Sequence, residues 1–164
     1  MARLSSISPD DRLQLRLHGK GYFFDNARRK HGALMHEVLS RIRTRKDIPQ
    51  SVERYHQEGV IDKEEAIALV ARLEELLNLP EAASWYDGTA RVLNEVDILF
   101  GKGLSKRPDR VMITGNRVVV VDYKFGEHAD QRYHSQVRNY LKLIRQMGYD
   151  GVEGFLWYVE LNKI

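Results

Sequence analysis

The stretch RPDRVMITGNRVVVVDYKFGE, residues 107–127, determines how the rest of the chain is interpreted. The four consecutive valines at 118–121 are typical of a strand buried on both faces. Gly115 and Asn116 are typical of a tight hairpin turn, so the valine strand is predicted to pair with a preceding strand that begins at Asp109. The valine strand ends in the charged sequence DYK, residues 122–124, which is unexpected at the tip of so apolar a hairpin.

The spacing of the charges in this hairpin suggests a metal site. Asp109 lies six residues before Gly115 and Asp122 lies six after Asn116, so the two carboxylates are expected to face each other across the strands. Asp122 and Lys124 are two residues apart on one strand, which places both side chains on the same face. Facing carboxylates repel unless a cation lies between them, and Mg²⁺ is bound by such oxygens. The alternative is a pair of solvated strand-end charges in a salt bridge with Lys124.

The remaining pattern predicts helices followed by strands. Helical periodicity is present over residues 26–43, 50–59 and 62–80, and leucines alternate over 12–18 as in a short strand. Asp62 and Glu65 have the spacing of a capping box. The buried face predicted for the helix that follows consists of Ile67, Val70, Leu73, Leu76 and Leu77.

The second half of the chain predicts a β-β-β-α-β order. Its predicted strands span residues 91–100, 109–113, 117–124 and 152–160, and its helix spans 131–147. The last strand pair flanks a helix, which favours a parallel, right-handed crossover. We therefore predict one α/β domain, residues 1–164, with a mixed central sheet flanked by helices. Its predicted parts are an N-terminal extension (1–26), a mostly helical region (27–90) and the β-β-β-α-β core (91–164).

Composition excludes several classes of site. The chain of 164 residues has no cysteine, which excludes disulfides, thiolate zinc sites and an iron–sulfur cluster. It lacks the G-x-x-x-x-G-K-[ST] loop, so no ATP site is expected. With neither a run of roughly 20 apolar residues nor a signal peptide, we expect a cytoplasmic protein without a membrane partner. A net charge of +3 permits a polyanionic partner without requiring one.

Three motifs together resemble a known family. The Pro108-Asp109 pair, followed by D-x-K at 122–124, resembles the PD-(D/E)xK nuclease superfamily, which has a restriction-endonuclease-like α-β-β-β-α-β core. The same D-x-K-x-G strand end, with G-x-x-x-H at 32–36 and Q-x-x-x-Y at 136–140, resembles the C-terminal nuclease domains of RecB and AddA, bacterial UvrD-like helicase–nucleases. This resemblance covers residues 28–160.

The resemblance implies roles for individual residues. The implied metal ligands are His36, Asp109, Asp122 and the backbone carbonyl of Tyr123, and the implied catalytic residues are Asp109, Asp122 and Lys124. Gln136 and Tyr140 are expected to line the site and contact a nucleic-acid strand, although a core role is equally compatible with Tyr140. We expect phosphate contacts from the basic residues nearest the site in sequence: Arg107, Arg110, Arg132 and Arg138. Glu95 is a further candidate, for which a solvent-facing charge or a salt bridge is the favoured alternative.

The function implied by the resemblance is that of a deoxyribonuclease dependent on Mg²⁺ or Mn²⁺. It would hydrolyse DNA phosphodiester bonds during double-strand-break repair and recombination, next to a helicase portion of the same polypeptide or complex. The chain would then be the excised C-terminal domain of a larger helicase–nuclease. The alternatives are a catalytically inactive DNA-binding or docking module, a free-standing restriction-type endonuclease, and a small interaction domain.

Overall fold

A computed structural model describes residues 20–100, 104–126 and 130–164 of the chain. The strand predicted over residues 12–18 lies outside the described residues. The helices are α1 (Lys20–Arg41), α2 (Ile48–Gln57), α3 (Lys63–Leu77) and α4 (Gln131–Gln146). The strands are β1 (Arg91–Asn94), β2 (Ile98–Phe100), β3 (Leu104–Lys106), β4 (Arg110–Thr114), β5 (Arg117–Lys124) and β6 (Gly151–Tyr158).

The central sheet has the strand order β1-β4-β5-β6. Strands β1, β4 and β5 are antiparallel neighbours, whereas β5 and β6 are parallel and are connected through α4. The predicted α/β class, the hairpin at residues 115–116 and the parallel crossover are therefore confirmed. Strands β2 and β3 form a separate two-stranded sheet.

The valines of β5 explain why this strand is apolar on both faces. Val118 and Val120 pack on the same side as Tyr140 and Ile144 of α4. Val121 faces the other side, where α1, α2 and α3 form the larger part of the core. Because both faces of β5 are covered, its C-terminal end is held rigidly, and this is the end that presents Asp122 and Lys124.

Helix α3 confirms one local prediction and corrects another. Asp62 accepts a 2.8 Å hydrogen bond from the backbone N–H of Glu65, and the Glu65 carboxylate accepts one of 2.8 Å from the N–H of Asp62, which completes the capping box. Ile67 was predicted to be buried but is 63% exposed. It lies two residues before the buried Leu69, on the opposite side of a helix with 3.6 residues per turn.

The strand predicted over residues 91–100 is wrong as one element. Strand β1 ends at Asn94, and β2 begins at Ile98 in the second sheet. The break falls at Glu95, whose φ of 54° is in the left-handed region and cannot continue an extended strand. No helix in the described part of the chain combines the length and apolar character needed to cross a bilayer.

Candidate active site

The sheet register brings three carboxylates to one level of three neighbouring strands. Asn94 of β1 pairs with Arg110 of β4, and Arg110 pairs with Val121 of β5. One level further along the sheet, Glu95 follows Asn94, Asp109 precedes Arg110 on the antiparallel strand, and Asp122 follows Val121. The backbone N–H of Glu95 donates a 3.0 Å hydrogen bond to the Asp109 carbonyl, which continues the ladder to this level. We call Glu95, Asp109 and Asp122 the acidic row.

Helix α1 adds a histidine to the acidic row. His36 Nε2 lies 2.8 Å from Asp109 Oδ1 and 3.5 Å from Glu95 Oε1. The hydrogen bond with Asp109 raises the pKa of His36 above its usual value, against the opposing effect of burial. One ligand atom from each of His36, Glu95 and Asp109 lies within 4.8 Å of the others, so a single cation can contact all three.

Gly32 explains how α1 approaches the end of β5. A Cβ atom at this position would lie 3.0 Å from Cβ of Phe125, the residue that follows Lys124. The ring of Phe125 in turn packs edge-on to the His36 ring, with the centroids 6.2 Å apart. The glycine of the G-x-x-x-H motif therefore permits the close helix–strand contact that brings His36 to the acidic row.

Asp122 is the most deeply buried member of the acidic row, with 3% of its side chain exposed. Its Oδ2 atom lies 2.5 Å from Lys124 Nζ in an ion pair. Burial, and secondarily the charge of Asp109, raises the pKa of Asp122 from 3.8 to about 6. The side chain is thus placed where a nearby cation would stabilise its ionised form.

The Q-x-x-x-Y residues of α4 connect to Lys124. Lys124 Nζ donates to Gln136 Oε1 at 3.5 Å and lies 4.5 Å from the centroid of the Tyr133 ring. Gln136 Nε2 donates to the Tyr140 hydroxyl at 2.7 Å, and that hydroxyl donates to the Arg107 carbonyl at 3.3 Å. Tyr140 is buried, and its expected contact with a nucleic-acid strand stays a prediction. The core role is the one that its position supports.

The four arginines assigned to phosphate contacts have different positions. Arg110 is fully buried and donates to main-chain carbonyls, so the phosphate contact expected of it is wrong. Its side chain alternates to the face opposite Asp109 and enters the core. Arg107 forms ion pairs with Asp97 and Glu95, and Arg132 forms one with Asp130. Arg107, Arg132 and Arg138 are exposed, and their phosphate contacts stay predictions.

Glu95 lies in the cluster with His36 and Asp109 as well as in the salt bridge expected for it. A salt bridge was the favoured alternative, and Glu95 Oε2 does lie 4.0 Å from Arg107, but its other oxygen faces His36. A left-handed backbone in a non-glycine residue costs about 1–3 kcal/mol and is concentrated at functional sites. No local signal in the sequence reveals the strand break, because it depends on pairing with β4.

The donor set of this cluster fits a hard divalent cation. Carboxylate oxygens and one imidazole nitrogen suit Mg²⁺ or Mn²⁺. Burial, and next the charge of Asp109, raises the pKa of Asp122 despite the neighbouring Lys124, so an added cation would favour its ionised form. Asp122 lies beside Asp109, outside the group of three formed by His36, Glu95 and Asp109. The Tyr123 carbonyl stays a predicted ligand.

Comparison with known proteins agrees with this arrangement. A family model described as the PD-(D/E)XK nuclease superfamily matches residues 12–164. The matched region includes the acidic row, His36 and Lys124. No curated protein sequence matches the chain.

Proposed function

Since the chain belongs to the PD-(D/E)XK nuclease superfamily, we propose that it hydrolyses DNA phosphodiester bonds with Mg²⁺ or Mn²⁺ bound at the acidic row. The observation that carries this proposal is the meeting of His36, the acidic row and Lys124 at one end of the sheet. Nucleases of this superfamily generally use divalent metals, and the ligand chemistry here suits them.

His36, Glu95 and Asp109 would hold the metal, with Asp122 beside them and the Tyr123 carbonyl as a further proposed ligand. A bound metal lowers the pKa of its water and polarises a phosphate oxygen. Lys124 keeps an ammonium group next to Asp122 while Gln136 and Tyr133 limit its movement. That group is positioned to stabilise negative charge developing on the phosphate, an effect that is strong in a partly buried site.

We also propose the narrower role of a nuclease domain of the RecB and AddA type. The support is that the three motifs shared with those domains meet in space: G-x-x-x-H supplies His36, D-x-K supplies Asp122 and Lys124, and Q-x-x-x-Y orients Lys124. In this role the chain acts in double-strand-break repair and recombination, and a helicase portion of the same polypeptide or complex supplies the DNA strand.

The test is a cleavage assay on end-labelled single-stranded and double-stranded DNA, in linear and closed circular forms, with Mg²⁺ or Mn²⁺. We expect metal-dependent cleavage that is lost in Asp122→Asn and retained in Asp150→Asn, a change at an exposed carboxylate that contacts Asn116. A helicase-fed nuclease of the RecB type should prefer linear single strands, whereas discrete cuts in circular duplex would indicate the restriction-type alternative. A folded wild-type protein that binds Mn²⁺ but cleaves none of these substrates would refute the catalytic proposal.

A further inference from the structure

Two polar residues lie directly beside the acidic row but face away from it. Asn94 and Arg110 pair across β1 and β4. Asn94 immediately precedes Glu95, and Arg110 immediately follows Asp109, so each is next to a member of the row. Arg110 alternates with Asp109 along its strand, so it projects into the core formed with the helices.

Both side chains bind the C-terminal end of α1. Arg110 donates to the carbonyls of Ile42 and Arg43, each at 2.7 Å, and Asn94 Nδ2 donates to the Ile42 carbonyl at 3.2 Å. Ile42 and Arg43 directly follow Arg41, the last residue of the helix. Carbonyls at this end have no partner within the helix and carry partial negative charge, so a guanidinium stabilises them strongly.

The surroundings of Arg110 make this attachment specific. Its guanidinium also donates to the Trp85 carbonyl at 2.5 Å and lies 3.9 Å from the centroid of the Tyr86 ring. Across the residues that the structure describes, no carboxylate forms an ion pair with Arg110, and its Nε atom has no hydrogen-bond partner. A buried cation that loses its acceptors is left uncompensated, so the end of α1 cannot move away from β4 without a large cost.

The same helix carries His36, six residues before Ile42. Two consecutive residues at the start of β4 therefore contact the α1 region: Asp109, just before the strand, contacts His36, and Arg110 contacts the carbonyls that follow the helix. We propose that Arg110, assisted by Asn94, is a positioning residue for metal binding, which holds α1 so that His36 Nε2 meets Asp109 and Glu95. This inference rests on the metal site proposed above.

If Arg110 had a purely structural role, its substitution would change stability but not Mn²⁺ affinity. The test is therefore a double-mutant cycle in which Mn²⁺ affinity is measured by calorimetry. The cycle combines Arg110→Lys, which keeps the charge but not the fork of donors, with His36→Ala. We expect Arg110→Lys to weaken Mn²⁺ binding by roughly 10- to 100-fold, as supporting partners of metal ligands do, and to have almost no further effect in the His36→Ala background.

Asn94→Ala removes a single donor and provides a milder variant should Arg110→Lys fail to fold. Its loss of affinity should be smaller and should also disappear when His36 is absent. The matched control is Arg72→Lys, because Arg72 likewise joins a helix to a carbonyl, that of Val159, but does not bind the end of α1. We expect this control to bind Mn²⁺ like the wild type.

The positioning role would be overturned if the loss of Mn²⁺ affinity caused by Arg110→Lys or Asn94→Ala added in full to the loss caused by His36→Ala. It would also be overturned if both Arg110→Lys and Asn94→Ala bound Mn²⁺ like the wild type. Failure of the wild-type protein to bind Mn²⁺ would overturn the metal site and this inference together. Coupled Mn²⁺ binding in a protein that cleaves no DNA would support the positioning role while refuting the nuclease function.

Discussion

The backbone N–H of Tyr123 donates a 2.7 Å hydrogen bond to Oδ2 of Asp109, the residue just before the neighbouring strand β4. The other oxygen, Oδ1, lies 2.8 Å from His36 Nε2. Both oxygens of the Asp109 carboxylate thus have partners before any metal binds. The register of the β4–β5 hairpin brings the Tyr123 N–H to one of them. Rigid ligands of this kind lower the cost of organising a metal site.

Asp109→Asn should separate charge from shape. The amide oxygen can still accept the Tyr123 N–H, so we expect the variant to fold, but it removes the charge that a divalent cation requires. We expect cleavage to fall at least ~100-fold and Mn²⁺ binding to weaken at least tenfold, in line with the loss of groups that contact a metal. Circular dichroism checks folding, calorimetry measures Mn²⁺ binding, and the DNA cleavage assay measures activity. Asp150→Asn is the matched control. A folded Asp109→Asn variant with wild-type metal affinity would contradict this site.

The raised pKa of Asp122 predicts how stability depends on pH without metal. The folded pKa of about 6 exceeds the ordinary value of 3.8, so the folded state favours the protonated carboxyl. The corresponding stability is present below about pH 4 and is lost as the pH rises through 6. Asp122→Asn should therefore unfold with a free energy about 3 kcal/mol higher than that of the wild type at pH 7, and this difference should shrink towards pH 4. Denaturant unfolding with a chelator present measures it.

The same pKa predicts a pH-dependent metal affinity. Below about pH 6 a proton occupies Asp122 in the metal-free protein and must leave when a cation binds beside it. Mn²⁺ affinity should accordingly fall between pH 7 and pH 5, with proton release visible when calorimetry is repeated in buffers of different ionisation enthalpy. His36, whose pKa is also raised, would have to lose its proton too, so an affinity that is constant over this range would show that neither residue takes part in binding.

Lys124→Met should affect cleavage far more than metal binding. The ammonium group neighbours Asp122 and is held by Gln136, but it offers no lone pair to a metal while protonated. We expect cleavage to fall roughly 100- to 10,000-fold, the range for loss of a group that acts in proton transfer or charge stabilisation. Mn²⁺ affinity should stay within about tenfold of the wild type. The control is Lys142→Met, which changes an exposed lysine within α4. Equal cleavage by both variants would refute a catalytic lysine.

Glu95 offers a test that separates backbone strain from ligand chemistry. At a φ of 54° glycine is favoured over alanine, which reverses their usual order. Glu95→Gly should be more stable than Glu95→Ala by about 1 kcal/mol, while both variants lose Mn²⁺ affinity to the same extent because both lack the carboxylate. Thermal unfolding and calorimetry distinguish the two effects. Wild-type affinity in both variants would exclude Glu95 from the site.

Substitution of an exposed arginine and of the buried Tyr140 should have different effects on DNA affinity. Arg138→Ala should weaken binding and reduce the slope of log affinity against log salt by about 1, as expected for one lost phosphate contact. Tyr140→Phe should leave DNA affinity unchanged, because its hydroxyl contacts Gln136 and the Arg107 carbonyl inside the protein. Fluorescence anisotropy at several salt concentrations measures both, with Arg54→Ala on α2 as the control. A Tyr140→Phe variant with weakened DNA binding would contradict the buried position.

The sequence by itself determined the features that depend on neighbours close in the chain. The Gly115-Asn116 turn sets the register of β4 and β5, so the facing of Asp109 and Asp122 follows from counting residues. Alternation along β5 places Lys124 beside Asp122, and the capping box of α3 is complete within four residues. Each of these contacts forms with a small loop-closure cost and few competing partners.

Only the tertiary structure decided the rest, because the deciding contacts join distant parts of the chain. Arg107 and Arg110 look alike in sequence, yet one pairs with carboxylates at the surface and the other enters the core, where the end of α1 supplies its acceptors. Glu95 joins His36 because β1 stops against β4 in a left-handed turn of the backbone. The local sequence pattern determines the side of the strand to which a side chain points. The hydrogen-bond and ion-pair partners that it meets on that side depend on how the helices pack.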